Sequence, residues 1–322
     1  MRVVSLVPSA TEIVARIGGL DLLVGRSHEC DRPGDVRRLP ALTRPRTSYN
    51  AGAGGGAIEH DAAREMEAAG SLYTLDADLL RRLRPDVVLT QDLCALCSID
   101  SGSLGSVLEE MGSVDVVSLH PETFEAVLDN HLTVGRAIGL EAEAGEAVFE
   151  LRGRWLGAES YVNPYTEGPV VGFLEWADPL YIAGYWVAQM IERAGGRHPL
   201  NECVARPGAG AGAGLQGGQR VAGRSVRVPG EVFAASRPEF LVICPCGLSL
   251  EQAKIEAARL RERVWWGDLP AVKAGRVAVV DGRWFSRPGP SLVDCFAWLV
   301  GWLNDRPELM AGDVPWALLG DG

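Results

Sequence analysis

No run of apolar residues in this sequence approaches the roughly 20 needed to cross a bilayer as a helix. No membrane-spanning helix is expected in it. A secretory leader is also missing: Met1-Arg2 passes directly into Val3-Val4-Ser5-Leu6-Val7, which reads as a first strand. A native start at Met1 therefore implies a cytoplasmic protein, and removal of a leader would make it periplasmic instead. Positive charge is scarce, with 31 Lys and Arg against 42 Asp and Glu and a net charge of -11. A general nucleic-acid binder would show a basic face, so that class is disfavoured. Docking on an anionic membrane is disfavoured for the same reason. The sequence has no nucleophile elbow, no P-loop, no GxGxxG after the first strand and no HExxH. No signature compels an enzyme, and a binding protein is the expectation.

What is present supports a large core. The chain has 322 residues, 47% of them hydrophobic, enough for two compact lobes or one large domain. Seven cysteines, an odd number in a long chain, argue against a disulfide framework. In a reducing compartment clustered thiols point to metal or redox chemistry, and isolated ones to simple packing.

Apolar runs and breakers predict an alternating αβ order. The first strand leads into a helix through Ile13-Val14-Ala15, for which Ser9 and Glu12 form an expected capping box. Leu22 to Gly25 reads as a strand that exits into Arg26-Ser27-His28-Glu29-Cys30-Asp31. Tyr49 to His60, with its run of glycines, reads as a surface excursion or lid. A helix over 76–83, a strand over 86–90, a helix over 103–111 and a strand over 114–119 complete a first lobe. Helices over 122–138 and 141–157 follow, the second spanning roughly 25 Å as a rigid spine. The second half repeats the scheme with strands at 170–174, 240–243 and 276–281, and a terminal helix over 292–303. Arg206 to Gly223 is rich in Gly and Ala and is expected to be disordered. The expected division is 1–120, connecting helices over 121–160, and 161–322 with the Gly/Ala insertion near 206–224.

Unusual residues gather just after the predicted strands: Pro8-Ser9, Arg26 to Asp31, Cys94 to Ser98, Glu175 to Asp178, Cys244 to Gly247 and Arg283 to Arg287. In an open parallel sheet these ends share one edge, where ligands bind. Cys94 and Cys97 have a spacing that lets both sulfurs reach one metal or form a redox pair. With Cys30 and Cys246, and His28 as a further ligand, they would suit zinc or an iron–sulfur cluster. Cys203 and Cys295 read as packing residues. His28 has three open readings: a hydrogen-bonded structural residue, a ligand beside the thiolates, or a group approaching the metal of a bound chelate. Trp176, Trp186, Trp284 and Phe285 offer flat faces for a large, partly apolar ligand. Arg26, Arg283 and Arg287 could pair with carboxylate, amide or phosphate groups on it.

Three motifs, in order, carry a family resemblance: Ser5-Leu6-Val7-Pro8-Ser9-Ala10-Thr11-Glu12-Ile13, Val24-Gly25-Arg26-Ser27-His28-Glu29-Cys30-Asp31 and Leu83-Arg84-Pro85-Asp86-Val87-Val88-Leu89. Leu174-Glu175-Trp176 and Asp281-Gly282-Arg283-Trp284-Phe285-Ser286-Arg287-Pro288 extend it over nearly the whole chain. They resemble the substrate-binding proteins of cobalamin and iron-chelate ABC importers, and in detail the branch without a leader called cobalamin-binding protein. The resemblance implies an α/β fold of class III, two mostly parallel αβ lobes joined by a spine helix with the ligand cleft between them. It implies a corrinoid such as cobalamin, or a related metal chelate, as ligand, and an ABC permease as partner. Carried over by position, Pro8, Ser9 and Ala10 border the ligand, and Trp284 and Phe285 touch it. His28 and Glu29 stand where the family has a tyrosine after its second strand. Glu175, Trp176, Arg26 and Arg287 complete the expected ligand set. The other reading is a cytoplasmic metalloprotein whose Cys/His-bound zinc or iron–sulfur cluster acts on a small molecule.

Overall fold

The computed structural model describes residues 1–47, 71–91, 101–208 and 220–320. The glycine-rich run at 51–56, His60, Cys94, Cys97 and the 209–219 centre of the Gly/Ala stretch lie outside the described residues. The chain divides into two compact units, one holding Met1–Asn50, Ala57–Pro121 and Ala126–Arg152, the other Ala51–Gly56, Glu122–Glu125 and Gly153–Gly322.

The first unit is built from β1 (Val3–Ser5), α1 (Pro8–Arg16), β2 (Leu23–Arg26), β3 (Thr43–Pro45), β4 (Tyr73–Leu75), α2 (Ala77–Leu83), β5 (Val87–Gln91), α3 (Ser101–Met111) and β6 (Asp115–Leu119). Helices α4 (Phe124–Ile138) and α5 (Glu141–Glu159) follow. Four strands form a parallel sheet in the order β2-β1-β5-β6. Its central strands are apolar on both faces, as a sheet covered by helices on both sides requires. Val3, Val87 and Leu89 pack with Ile13, Val14, Val134 and Ile138. Val4 and Val88 point the other way, onto Leu42, Leu80 and Leu104. That is the two-residue period of a strand applied to two cores. Gly25 on β2 lets Leu42 and Leu83 pack close, since a Cβ there would lie 2.4 and 2.8 Å from their side-chain methyls and force them to shift.

The expected capping box does not form. Helix α1 begins at Pro8 with Val7 as its N-cap and no side-chain cap. Proline suits the first helical position, where its missing N–H would be unpaired anyway, and this moves Ser9 inside the helix. Glu12 pairs instead with Arg32 at 2.8 Å.

The second unit contains β7 (Val171–Ala177), β8 (Leu180–Ile182), α6 (Tyr185–Arg193), β9 (Val204–Ala205), β10 (Arg220–Val221), β11 (Val226–Arg227), α7 (Gly230–Ala235), β12 (Phe240–Ile243), α8 (Leu250–Leu260), α9 (Pro270–Lys273), β13 (Val277–Val280), α10 (Gly282–Phe285), α11 (Leu292–Leu303) and β14 (Trp316–Leu318). Its six-stranded sheet runs β11-β8-β7-β12-β13-β14. The three central strands are parallel and the outer ones antiparallel. Strand β7 continues past Leu174, so Glu175 and Trp176 lie within a hairpin strand and not in a loop beyond it. Arg220 and Val221, inside the stretch expected to be disordered, form β10 against β9. Arg220 is tied to Glu192 on α6 at 3.0 Å, which fixes that strand to the helix.

A buried ion cluster closes one side of this unit. The Arg193 guanidinium meets both oxygens of Glu159, at 3.0 and 2.9 Å, and Glu125 at 2.5 Å. It also lies 3.8 Å over the Trp155 ring. One cation thus joins the start of α4 and the end of α5 to α6. No helix among the described residues is long and apolar enough to cross a membrane.

Candidate ligand-binding site

Where β2 leaves the first sheet, the Ser27 N–H donates to the Ser5 carbonyl at 2.8 Å. The next residues turn toward β3. Thr43 Oγ1 accepts the His28 backbone N–H at 3.0 Å and stands 2.7 Å from His28 Nδ1 and 2.9 Å from Ser27 Oγ. Arg26 folds back over this turn, donating to the carbonyls of Ser27, His28 and Arg37 at 2.9, 3.3 and 3.2 Å. Its guanidinium braces the loop. Tyr73 on β4 adds an aromatic wall 5.2 Å from the His28 ring, and its hydroxyl donates to Glu29 at 3.1 Å. Burial lowers the His28 pKa, outweighing the raising effect of Glu29, and Arg26 lowers it further. The imidazole is therefore neutral near pH 7.

Tyr73 and Thr43 were not legible as site residues. They reach His28 through the pairing of β3 with β4, whose register sets Pro45 opposite Tyr73. The only sequence signal was an apolar Leu72-Tyr73-Thr74-Leu75 run after the glycine-rich excursion.

Cys30 lies two residues from His28 but in different surroundings. It is fully buried in the core with Ile13 and Leu23, and accepts the Thr11 hydroxyl at 2.9 Å. Pro8 starts α1, Ala10 is in the core, and the buried Ser9 donates to Gln91 at 3.4 Å. Among the described residues no group of three or more His, Cys, Asp and Glu side chains is arranged to hold a metal ion. Cys94 and Cys97 are outside those residues, and Cys30 and Cys246 belong to different units.

In the second unit two strand-end loops abut. The Gly282 N–H donates to the Leu248 carbonyl at 2.8 Å, and a Cβ at 282 would fall 1.6 Å from the Pro245 oxygen. Only glycine permits that approach. The loop after β12 thereby carries the exposed Cys246, and the turn after β13 the half-buried Trp284, in backbone contact. The Cys246 N–H donates to the Glu175 carbonyl at 2.9 Å, and the Glu175 carboxylate accepts the Ser225 hydroxyl. Trp176 is half-buried, its indole N–H donating to Asp178 at 3.0 Å. Asp281 holds Arg283, with Nε at 2.9 Å and Nη2 at 2.5 Å, and accepts the Leu250 N–H at 3.2 Å.

Phe285 faces inward. It is 1% exposed, with Phe173 and Trp298 at ring distances of 5.1 and 6.0 Å. Its carbonyl accepts the Trp186 indole N–H at 2.9 Å. Arg287 is buried too. Cys244 is buried beside Cys295 and Asp281, and burial drives its thiol pKa well up, which makes it unreactive. Tyr185, unmarked in the sequence, has φ of 47° at the start of α6 and stacks on Trp186 at 6.0 Å.

No protein-family model matches this sequence, and no curated protein matches it. Solved structures do. A periplasmic heme binding protein from Pseudomonas aeruginosa is 20% identical, with a TM-score of 0.67, over 98% of this chain and 94% of that one. The periplasmic vitamin B12 binding protein of Vibrio cholerae is 16% identical, with a TM-score of 0.63, over 95% and 98%. The chain shares their fold. A periplasmic heme-binding protein from Roseiflexus sp. RS-1 in apo form is similar as well, 19% identical with a TM-score of 0.67 over 95% and 98%. The class III α/β fold expected from the motifs is thus shown by this likeness.

Proposed function

We propose that this protein binds a planar metal chelate, a haem-like or corrinoid ring, with no chemistry of its own. What carries the reading is the likeness of fold over nearly the whole chain to proteins described as binding heme or vitamin B12. The residues at the strand ends support it. Each unit carries aromatic and polar surface of the kind that suits a large flat ligand, the His28–Tyr73 pair in the first and the half-buried indoles of Trp176 and Trp284 in the second. A corrinoid is the finer proposal, drawn from the Arg26-to-Asp31 and Asp281-to-Pro288 motifs, and an importer permease is the matching partner. The test is equilibrium titration with ferric protoporphyrin IX and with cyanocobalamin, followed by absorption and tryptophan emission. Binding at micromolar concentration, about 8 kcal/mol, supports the proposal. Failure of both rings to bind at up to about 100 µM defeats it.

A further inference from the structure

We infer that His28 meets its ligand as a hydrogen-bond donor through Nε2–H, not as a base on a metal, and that Ser27 and Thr43 set this tautomer. The argument is a proton count at Thr43 Oγ1. That atom is buried, with one proton to give and two lone pairs to accept. It has three neighbours. The His28 backbone N–H can only donate, and occupies one lone pair at 3.0 Å. Ser27 Oγ at 2.9 Å and His28 Nδ1 at 2.7 Å share what remains, and two proton chains satisfy Thr43 itself.

In the first chain Ser27 donates to Thr43 and Thr43 donates to Nδ1. Ser27 Oγ then accepts the Glu29 N–H at 3.3 Å, and every group in the chain is paired. The imidazole proton sits on Nε2. In the second chain Nδ1–H donates to Thr43 and Thr43 donates to Ser27. Ser27 Oγ then accepts from both Thr43 and Glu29, and its own proton has no acceptor. Ser27 is 4% exposed, so water offers little relief. A buried hydroxyl left without a partner is disfavoured by at least about tenfold. The first chain therefore holds. Burial lowers the His28 pKa, so the neutral ring is the relevant one.

Among the described residues Nε2 has no hydrogen bond. Its proton is free to meet an oxygen acceptor. On the chelate-binding reading, which this clause rests on, that acceptor is an amide carbonyl or carboxylate arm of the ring. Coordination of a metal by Nε2 would require the whole chain to invert and strand the Ser27 proton. The geometry thus disfavours both metal readings of His28 and points to a further role, a donor that selects the ligand by its rim.

The first test needs no ligand. In protein labelled with ¹⁵N at histidine, long-range proton–nitrogen correlation at neutral pH should find Nδ1 bare and Nε2 protonated for His28. The opposite assignment overturns the inference. Thr43→Val should shift the tautomer ratio toward Nδ1–H by about tenfold or more, and Thr43→Ser should keep it. An unchanged ratio in Thr43→Val, with the resonances of His131, buried in the same unit, intact as a check on folding, also overturns it. The second test uses ferric protoporphyrin IX and cyanocobalamin in turn. His28→Leu should weaken binding by about tenfold and His28→Gln, whose amide can donate, should not. An effect with the porphyrin alone marks a carboxylate acceptor, and one with cobalamin alone an amide. A complex whose spectrum carries imidazole ligation refutes the donor role. If neither ring binds, the chelate proposal fails while the tautomer result stands.

Discussion

His131 should make the first unit sensitive to acid. It lies on α4 and is fully buried. Its Nδ1 stands 3.1 Å from the Leu128 carbonyl and 3.3 Å from that of Val127, and its Nε2 is buried without a partner. Burial, with a smaller effect from Arg16, lowers its pKa from 6.5 to about 4. The unfolded chain then takes up a proton below pH 6.5 that the folded unit refuses. Stability is full above pH 6.5 and declines as pH falls toward 4, by about 1.4 kcal/mol per unit and about 3 kcal/mol in all. All nine tryptophans are at position 155 or beyond, so indole emission reports only the second unit. The assay is therefore hydrogen exchange of the β1 and β5 amides between pH 7.5 and 4.5, in the native protein and in His131→Leu. Other titrating groups cancel in the difference. The variant should gain relative stability steadily as pH falls. Parallel pH profiles for the two proteins would refute the reasoning, because they would mean the buried imidazole does not exclude the proton.

Three further outcomes follow from the second unit. Gly282→Ala should push the Trp284 turn away from the Pro245–Leu248 loop and weaken ring binding by about tenfold or more in the same titration, since its Cβ would meet the Pro245 oxygen. Trp284→Ala should reduce affinity with little change in melting, whereas Phe285→Ala should cost about 3–5 kcal/mol of stability, read by chemical denaturation with tryptophan emission. Arg193→Leu should destabilise the second unit by about 3–5 kcal/mol, because it leaves the buried Glu159, and the half-buried Glu125 beside it, without their cation; a loss under 1 kcal/mol would contradict the ion-cluster assignment.

Much of the fold was readable because its central strands are short apolar runs followed by breakers. Val87-Val88-Leu89 and Phe240-Leu241-Val242-Ile243 are strands in the structure as in the sequence. Edge strands were harder. Strands β9, β10 and β14 are two or three residues each, with no alternation to reveal them. Glu175 and Trp176 read as a loop because the cue taken was the end of the apolar run at Leu174, while the reversal comes only at Asp178-Pro179. Phe285 and Trp284 look alike in sequence, and only packing against Phe173 and Trp298 separates the core ring from the half-buried one. The His28 surroundings depend on long-range register. Thr43 and Tyr73 come from a strand pair that joins distant parts of the chain, so no local spacing could name them.

The most direct measurement is the equilibrium titration of the ligand-free protein with ferric protoporphyrin IX and with cyanocobalamin, followed through tryptophan emission of the second unit, which contains Trp176 and Trp284. The account predicts saturable one-to-one quenching by at least one ring at micromolar concentration, weakened in Trp284→Ala. A flat response to both rings, in protein whose melting is cooperative, would contradict it.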